Sequence, residues 1–332
     1  MIINDLPEHL FINYDKDIKY FEYQTNNLYH KQINKDNIKD DDHTILDLTS
    51  KNNKVLIALH PRIYHCLIDN LSEILYLDKY FKLNPMWQDF EFILDSSDIP
   101  ESFYEKNGPT FFKFFLDVLK NKNINYRIIN SLSISNNNNR NKRKANIIKI
   151  NNSLLIKKTG PNKLYHFSTI YELYKEYEKD KSDNKIVYLS RNIKNKNYVN
   201  FVRQNDEEIL EKFFKEHNCE IVFPENFKTF EDQIKYFGSV KTLIALTGSG
   251  LLNMLMMPEN SNIVEIYTPI ESAPIDPDTN AHKTIIATHH MYRDIAWANS
   301  HTYVSIKNEL GSNSLDLIEK LKNNKILMDI LK

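Results

Sequence analysis

Glycine, cysteine and net charge are all scarce in this 332-residue chain. Its two cysteines, Cys66 and Cys219, are too few for a disulfide framework and form no Cys-x-x-Cys motif, so we expect two buried thiols. The formal net charge of −1 provides no overall field that would draw the chain to nucleic acid or to an anionic membrane. Any anion must therefore be bound by local groups.

Long apolar runs are absent as well. The N-terminal segment MIINDLPEHLFINYDKD has no basic leader, and polar residues interrupt the longest apolar helix candidates every few positions. We therefore expect neither a secretory signal nor a membrane span, and we expect a cytoplasmic chain.

Length and composition are sufficient for two domains. The chain is about twice the size of a usual single domain, and 41% of its residues are hydrophobic. Short alternating runs between residues 16 and 50 predict an antiparallel meander. From Lys54 onwards strand and helix patterns alternate in βαβ order, which predicts parallel sheets. The predicted organisation is a β meander packed on the first domain (1–50), a Rossmann-like domain (51–160), a second one (161–310) and a helix that crosses back to the first (311–332), with a linker near residues 159–167.

Residues 241–267, KTLIALTGSGLLNMLMMPENSNIVEIY, predict a strand, a glycine turn, a short helix and a second strand. Gly248 and Gly250 permit backbone geometries that other residues resist. Free amides at the start of the helix would point at a ligand above the strand end, and such amides favour a phosphate or diphosphate. A tight connection without a ligand explains this pattern equally well.

Other motifs precede and follow the turn. They are YLSR, an arginine shortly before NDEE, a Pro-Glu, a Phe-x-x-Gln-Ile helix and, after Gly-x-Gly-Leu-x-Asn, a strand with Glu-Ile. In this order they resemble glycosyltransferase family 61. The matching positions are Tyr188, Leu189, Ser190, Arg191, Arg203, Asn205, Glu208, Pro224, Glu225, Phe230, Gln233, Ile234, Gly248, Gly250, Leu251, Asn253, Glu265 and Ile266.

The resemblance extends upstream and has two departures. IYHCLIDNLSEILYL, residues 63–77, is similar to an early helix of the family that begins with Tyr-His. The family has His where this chain has Thr247, and Ala where this chain has Ser249. Any role that depends on an imidazole before the first glycine is therefore absent here.

The resemblance implies an inverting glycosyltransferase of GT-B architecture, in which two Rossmann-like domains face each other across a cleft. It also implies a nucleotide-diphosphate sugar as donor, most often a UDP-sugar, and a glycan or glycoprotein as acceptor. Cations and groups of the glycine turn would bind the donor diphosphate: Arg191, Arg203, Thr247, Gly248, Ser249, Gly250 and Leu251. Asn253 and Glu265 would lie near the donor, although Asn253 can equally orient the loop and Glu265 can equally be a salt-bridged strand end.

His65 and Asp69 are the candidates for the catalytic base. They are spaced to share one face at the start of a helix predicted from about Tyr64 to Phe81. An inverting transfer needs a base that takes the proton of the acceptor hydroxyl. A helix N-terminus disfavours the imidazolium, and Asp69 would orient the ring, so either residue could be the base. The pair could instead satisfy a buried helix start, but the family resemblance favours catalysis.

Two acidic motifs contain the residue types of a metal site but lack its position after a strand or its spacing. Asp276-Pro277-Asp278 follows a proline-rich loop, and FILDSSD, residues 92–98, follows a strand with the wrong spacing. We interpret both as turns and expect neither a metal nor another cofactor. The basic run at residues 140–144 has no interleaved aromatic residue, so we interpret it as a solvated loop rather than a nucleic-acid or acceptor site.

Two other functions fit parts of the sequence. A dinucleotide-binding oxidoreductase would need a full Gly-x-Gly-x-x-Gly and an acidic residue that follows a second strand about 20 residues further on. TGSG lacks the full glycine motif, and no acidic residue follows a second strand at that distance. A non-catalytic scaffold of the same fold is the second alternative, because Thr247 replaces the family histidine.

Overall fold

The computed structural model describes residues 10–24, 29–38, 45–61, 63, 65–83, 90–105, 108–130, 132–133, 144–145, 147–158, 164–177, 184–190, 207–267, 291–308 and 314–332. The chain forms two compact units, Met1–His166 and Phe167–Lys332. Their division falls inside a helix, Leu164–Lys175, so the linker predicted near residues 159–167 overlaps the first turn of that helix.

The first unit is built mainly from strands. In chain order they are β1 (Leu10–Asp15), β2 (Lys19–Gln24), β3 (Tyr29–Ile33), β4 (Ile45–Asp47), β5 (Asn53–Ala58), β6 (Phe90–Asp95), β7 (Tyr126–Ile129), β8 (Leu132–Ser133), β9 (Lys144–Ala145), β10 (Ile147–Ile150) and β11 (Ser153–Lys158). Its helices are a π-helical segment (His65–Leu71), α1 (Ser72–Lys82), α2 (Thr110–Asn121) and 3-10 turns at Lys35–Asn37 and Glu101–Tyr104.

The larger sheet of this unit has the strand order β1-β11-β5-β6-β7 among the described residues. β11, β5, β6 and β7 are parallel, and β1 pairs antiparallel with β11. Val55, Phe92 and Ile93 are fully buried, as expected for central strands covered on both faces. The predicted βαβαβ order is therefore present.

The second sheet of this unit has the order β3-β2-β10-β4. β2 and β3 form an antiparallel hairpin, whereas β10 lies between β2 and β4 and is parallel to β4. The predicted meander of residues 16–50 is wrong in this respect, because β10 comes from far along the chain. Alternating polarity identifies strands but contains no information on such distant partners.

The second unit contains one parallel sheet. Its strands are β12 (Lys185–Leu189), β13 (Glu220–Val222), β14 (Val240–Leu246), β15 (Asn262–Tyr267) and β16 (Thr302–Lys307). Its helices are α3 (Leu164–Lys175), α4 (Glu207–Glu216), α5 (Phe230–Phe237), α6 (residues 291–298), α7 (Ser314–Asn323) and α8 (Lys325–Ile330), with 3-10 helices at Pro224–Asn226 and Ser249–Met256.

The strand order in this sheet is β13-β12-β14-β15-β16, and every pairing is parallel. The direction in which successive strands are added reverses between β12 and β14. In open α/β sheets ligands bind at such a switch point, beyond the carboxyl ends of the two strands. The carboxyl ends of β12 and β14 are therefore the expected place for a ligand in this unit.

Helices from the C-terminal end of the chain cover one face of this sheet. Tyr188, Ile244 and Val264 share one buried cluster with Phe214 of α4 and with apolar residues of both terminal helices, among them Leu317, Leu321 and Leu327. We predicted a single terminal helix that crosses back to the first domain, and this is wrong. Two helices form instead, and several of their apolar residues are buried in the second unit. The Asn324 side chain caps α8 by accepting from the Leu327 amide at 3.0 Å.

Asparagine replaces glycine at left-handed positions of this glycine-poor chain. The described non-glycine residues with positive φ are Asn123, Asn152, Asn218, Asn260 and Ser300. Asparagine tolerates this conformation better than most residues because its short side chain can hydrogen-bond locally. Several turns and helix ends therefore form without glycine.

Both units thus have the predicted mixed α/β character with parallel strands. Within the described ranges, no helix combines the length and apolar character required to cross a bilayer.

Candidate active site

His65 and Asp69 form a hydrogen-bonded pair in the π-helical segment of the first unit. His65 Nδ1 lies 2.6 Å from Asp69 Oδ2, and the side chains are 38% and 14% exposed, respectively. Because a carboxylate only accepts hydrogen bonds, Nδ1 carries the hydrogen and the lone pair of the neutral ring is on Nε2. The predicted orientation of the ring by Asp69 is therefore present.

Asn70 ties this segment to the end of β5. Its Nδ2 donates to the Ala58 carbonyl oxygen at 3.0 Å, and its Oδ1 accepts from the His60 amide at 3.1 Å. The His60 ring in turn lies 4.1 Å from the His65 ring, centroid to centroid. Asn70 was not predicted from the sequence, because a buried asparagine in an apolar helix has no signature without its partners. π-Helical turns often occur at functional sites.

The two cysteines are free and buried, as predicted. Burial raises the pKa of Cys66 above its ordinary range and raises that of Cys219 to about 12. Both thiols therefore remain protonated near neutral pH and are poor nucleophiles.

The glycine turn of the second unit follows β14 directly and begins the 3-10 helix Ser249–Met256. No side chain caps this helix, so the amides of Ser249 and Gly250 have no acceptor among the described residues. The Leu251 amide donates to the Gly248 carbonyl oxygen at 3.0 Å and is engaged within the turn. Thr247 donates from its amide and its hydroxyl to the Ile266 carbonyl oxygen, at 3.0 and 3.4 Å.

Gly250 lies against the end of β12. A Cβ atom at this position would lie 2.6 Å from Cδ2 of Leu189, the last residue of that strand, which is only 5% exposed. The turn that follows β14 therefore packs on the carboxyl end of β12, at the switch point of the sheet. A side chain at this position would have to displace the tip of Leu189.

Asn253 orients the turn, which is one of the two roles considered for it. Its side chain is 4% exposed, and its Nδ2 donates to the Gly250 carbonyl oxygen at 2.7 Å. Gln233 of α5 donates from Nε2 to Asn253 Oδ1 at 2.6 Å. From the sequence, Gln233 was only one member of the family motif, and residue spacing did not predict its bond to Asn253.

Glu265 lies inside the sheet rather than at a strand end exposed to ligand. It is fully buried, and the Tyr303 hydroxyl on the neighbouring strand donates to its Oε2. Burial, followed by the nearby carboxylate, raises the pKa of Tyr303 well above its ordinary range. Glu265 thus hydrogen-bonds a tyrosine of the neighbouring strand, a partner that was not predicted from the sequence.

The predicted cations Arg191 and Arg203, with Asn205, lie outside the described residues, but the chain on either side is described. The Tyr188 hydroxyl donates to Glu207 Oε2 at 2.7 Å, and the Ser190 hydroxyl donates to Glu211 Oε1. These bonds fasten the end of β12 to α4. The buried carboxylate is that of Glu207, whereas Glu208, the residue of the family motif, is exposed.

The end of the FILDSSD motif forms a turn, as predicted, whereas its first four residues belong to β6. Asp95 is fully buried, and its Oδ1 accepts from the Ser97 amide at 3.1 Å and from the Ser97 hydroxyl. Across the described part of the chain, no three His, Cys, Asp or Glu residues are grouped as a metal site would require. The Asp276-Pro277-Asp278 motif and the basic run through residue 143 lie outside that part.

The comparison with protein families agrees with these features. A family model described as Glycosyltransferase 61 matches residues 63–264, which include the His65–Asp69 pair and the glycine turn. The chain therefore belongs to glycosyltransferase family 61, and the resemblance of its motifs to that family is confirmed. No curated protein matches the chain.

Proposed function

We propose that the chain is an inverting glycosyltransferase that transfers a sugar from a nucleotide diphosphate, a UDP-sugar, to a hydroxyl group of a glycan or glycoprotein. The observation that carries this proposal is the packing of the glycine turn on the end of β12, which puts helix-start amides at the switch point of a parallel sheet. Family membership supplies the reaction class.

The diphosphate would lie at the switch point. The amides of Ser249 and Gly250 would donate to its oxygens, and the Ser249 hydroxyl, which is on an exposed residue, would add a donor. Arg191, one residue beyond Ser190, and Arg203 would neutralise the charge that develops as the diphosphate leaves. Leu251 would support the turn through its bond to Gly248 rather than donate to the ligand.

His65 would act as the base on the acceptor. Its Nε2 takes the proton of the acceptor hydroxyl while the oxygen forms a bond to the anomeric carbon of the donor sugar. The bond from that carbon to the diphosphate breaks, and the diphosphate leaves with the electron pair. Asp69 holds the ring through Nδ1 and stabilises the imidazolium that forms, as a carboxylate does in other His–Asp pairs. Attack opposite the leaving group inverts the anomeric configuration.

This mechanism requires the GT-B arrangement, in which the base of one domain faces the donor site of the other. It also assigns charge stabilisation to amides and arginines, so we propose that no divalent metal is required.

Thermal unfolding of the purified chain tests the donor site. The midpoint is measured with UDP, GDP, CMP, NAD or no ligand, each with and without EDTA. A ligand at 100 times its dissociation constant adds about 2.7 kcal/mol, which raises the midpoint by a few degrees. The proposal predicts a rise with UDP that EDTA does not abolish. A rise with NAD alone would support the oxidoreductase alternative, and no response to any nucleotide would support the scaffold alternative.

A further inference from the structure

Two buried amide side chains connect α5 to the glycine turn. Gln233 is 5% exposed and Asn253 is 4% exposed, and the bond of 2.6 Å between them continues in the bond of 2.7 Å from Asn253 to the Gly250 carbonyl oxygen. These residues belong to two separate motifs of the sequence, Phe-x-x-Gln-Ile and Gly-x-Gly-Leu-x-Asn. A single hydrogen bond between side chains thus links both motifs.

The chemistry of the partners determines the direction of this chain of bonds. The Gly250 carbonyl only accepts, so the Asn253 group that faces it must be the NH₂, and its oxygen must face Gln233. Gln233 must therefore donate its own NH₂. Only a side chain with a donor at this position satisfies the buried Asn253 oxygen, and an unsatisfied buried oxygen is costly.

The bonds hold the peptide unit between Gly250 and Leu251 from both sides. Its carbonyl accepts from Asn253, and its amide donates to Gly248 at 3.0 Å. The amides of Ser249 and Gly250 directly precede this fixed unit and have no acceptor among the described residues. Fixing the one peptide therefore limits the directions in which these two amides can point.

We propose that Gln233 is a positioning residue that acts through Asn253 to hold the glycine turn in the geometry that binds the donor diphosphate. This inference rests on the proposed function, because it assigns the purpose of the turn. Gln233 lies on a well-anchored helix. The α5 N-cap Thr229 accepts from the Asp232 amide at 3.0 Å, and Phe230 and Phe237 are buried. Gln233 itself is not expected to touch the donor.

Two variants of Gln233 separate its donor function from its volume. Gln233→Glu keeps the shape but places a carboxylate against the Asn253 oxygen, whereas Gln233→Leu has neither donor nor acceptor. Lowering the pH protonates the glutamic acid and restores a donor, so only the Glu variant can recover. Gln32→Glu, on an exposed glutamine of β3, is the matched control for the change of charge.

UDP and inorganic pyrophosphate are the probes, titrated calorimetrically at pH 8 and pH 6 with the full chain. We expect both variants to bind UDP about tenfold more weakly than the wild type at pH 8, the size of one buried hydrogen bond. At pH 6 the Glu variant should approach the wild-type affinity while the Leu variant stays weak. Wild-type affinity in the Leu variant at pH 8, or equal recovery of both variants at pH 6, would overturn the proposal.

Amide hydrogen exchange of the ligand-free protein tests the device independently of the proposed function. Exchange in the peptides that cover residues 247–257 should be faster in Gln233→Leu than in the wild type at pH 8, with no change in β15. Unchanged exchange would overturn the positioning role even if UDP binds. Faster exchange in a protein that binds neither UDP nor pyrophosphate would support the role of Gln233 and contradict the proposed function.

Discussion

His301 is a buried histidine that bonds to the helix of the glycine turn. It is 4% exposed, and its Nε2 lies 3.0 Å from the Met254 carbonyl oxygen, so Nε2 carries the hydrogen. Burial lowers the pKa of this imidazole below its ordinary value and Lys241 acts in the same direction, whereas the bond to Met254 and the charge of Glu259 oppose the shift. A second proton would have to enter at Nδ1, which has no partner in the described structure.

We expect this histidine to make the folded protein sensitive to acid. The unfolded chain protonates His301 near pH 6.5 and the folded chain only at a lower pH, so between these values the unfolded state binds more protons. The stabilisation is complete above about pH 6.5 and is lost as the pH falls through the folded pKa. Urea unfolding from pH 8 to pH 5 should show a steeper loss for the wild type than for His301→Gln, which retains a donor for Met254. Identical pH dependence of the two proteins would contradict this account.

His65 should be needed for catalysis and not for donor binding. His65→Ala removes the base, so we expect kcat to fall by about 10²–10⁴-fold while the shift in unfolding temperature with UDP is unchanged. Asp69→Asn retains an acceptor for Nδ1 but loses the charge, so its effect should be smaller. His217→Ala is the matched control, because that imidazole bonds to the Phe213 carbonyl oxygen in the second unit. Undiminished transfer by His65→Ala would rule out the assigned base.

At the scale of elements, the proposed donor site depends on the contact between the glycine turn and β12. Gly250→Ala would bring a methyl group to 2.6 Å from Leu189 Cδ2, so we expect a loss of about 1–3 kcal/mol in the free energy of unfolding. The double variant with Leu189→Ala should lose less than the sum of the two single losses, because truncation of the leucine makes room.

A glycine without such a contact provides the control for this double-mutant cycle. Gly238 ends α5 with φ −59° and ψ −18°, which alanine adopts readily, so Gly238→Ala should be neutral or stabilising by up to about 1 kcal/mol. Strict additivity of Gly250→Ala and Leu189→Ala would show that the turn does not press on β12. Denaturant midpoints of the five proteins are sufficient for this comparison.

Elements with strong periodicity could be predicted from the sequence, and their local variants could not. The alternation of strand and helix patterns from Lys54 onwards predicted the βαβ order of both units, and residues 241–267 predicted β14, the glycine turn, a short helix and β15 in that order. The same patterns predicted an ordinary helix from about Tyr64 to Phe81 and a short helix after the glycine turn, whereas the structure has a π-helical segment at His65–Leu71 and a 3-10 helix at Ser249–Met256. These forms differ in hydrogen bonding that apolar spacing does not record.

Some residues of the candidate site could be predicted from the sequence, and others could not. The His65–Asp69 pair could be predicted, because four residues of spacing bring both side chains to one helix face. The link from Gln233 to Asn253 and the burial of Glu265 under Tyr303 depend on partners distant in sequence. Residue spacing alone contains no such information.

At the scale of the whole molecule, the family match spans parts of two units that fold around separate sheets. The match over residues 63–264 begins before the base candidate of the first unit and ends after the glycine turn of the second. The proposed mechanism needs both, because one supplies the base and the other holds the diphosphate. Neither unit alone is expected to catalyse transfer.

The most direct test of the central claim is a transfer assay. The full chain is incubated with a panel of UDP-sugars and glycan acceptors, and NMR follows UDP release and the anomeric configuration of the product. The account predicts UDP release with at least one sugar, a product of inverted configuration, no loss of rate with EDTA, and loss of the reaction in His65→Ala. A product of retained configuration, or release that His65→Ala leaves intact, would contradict it.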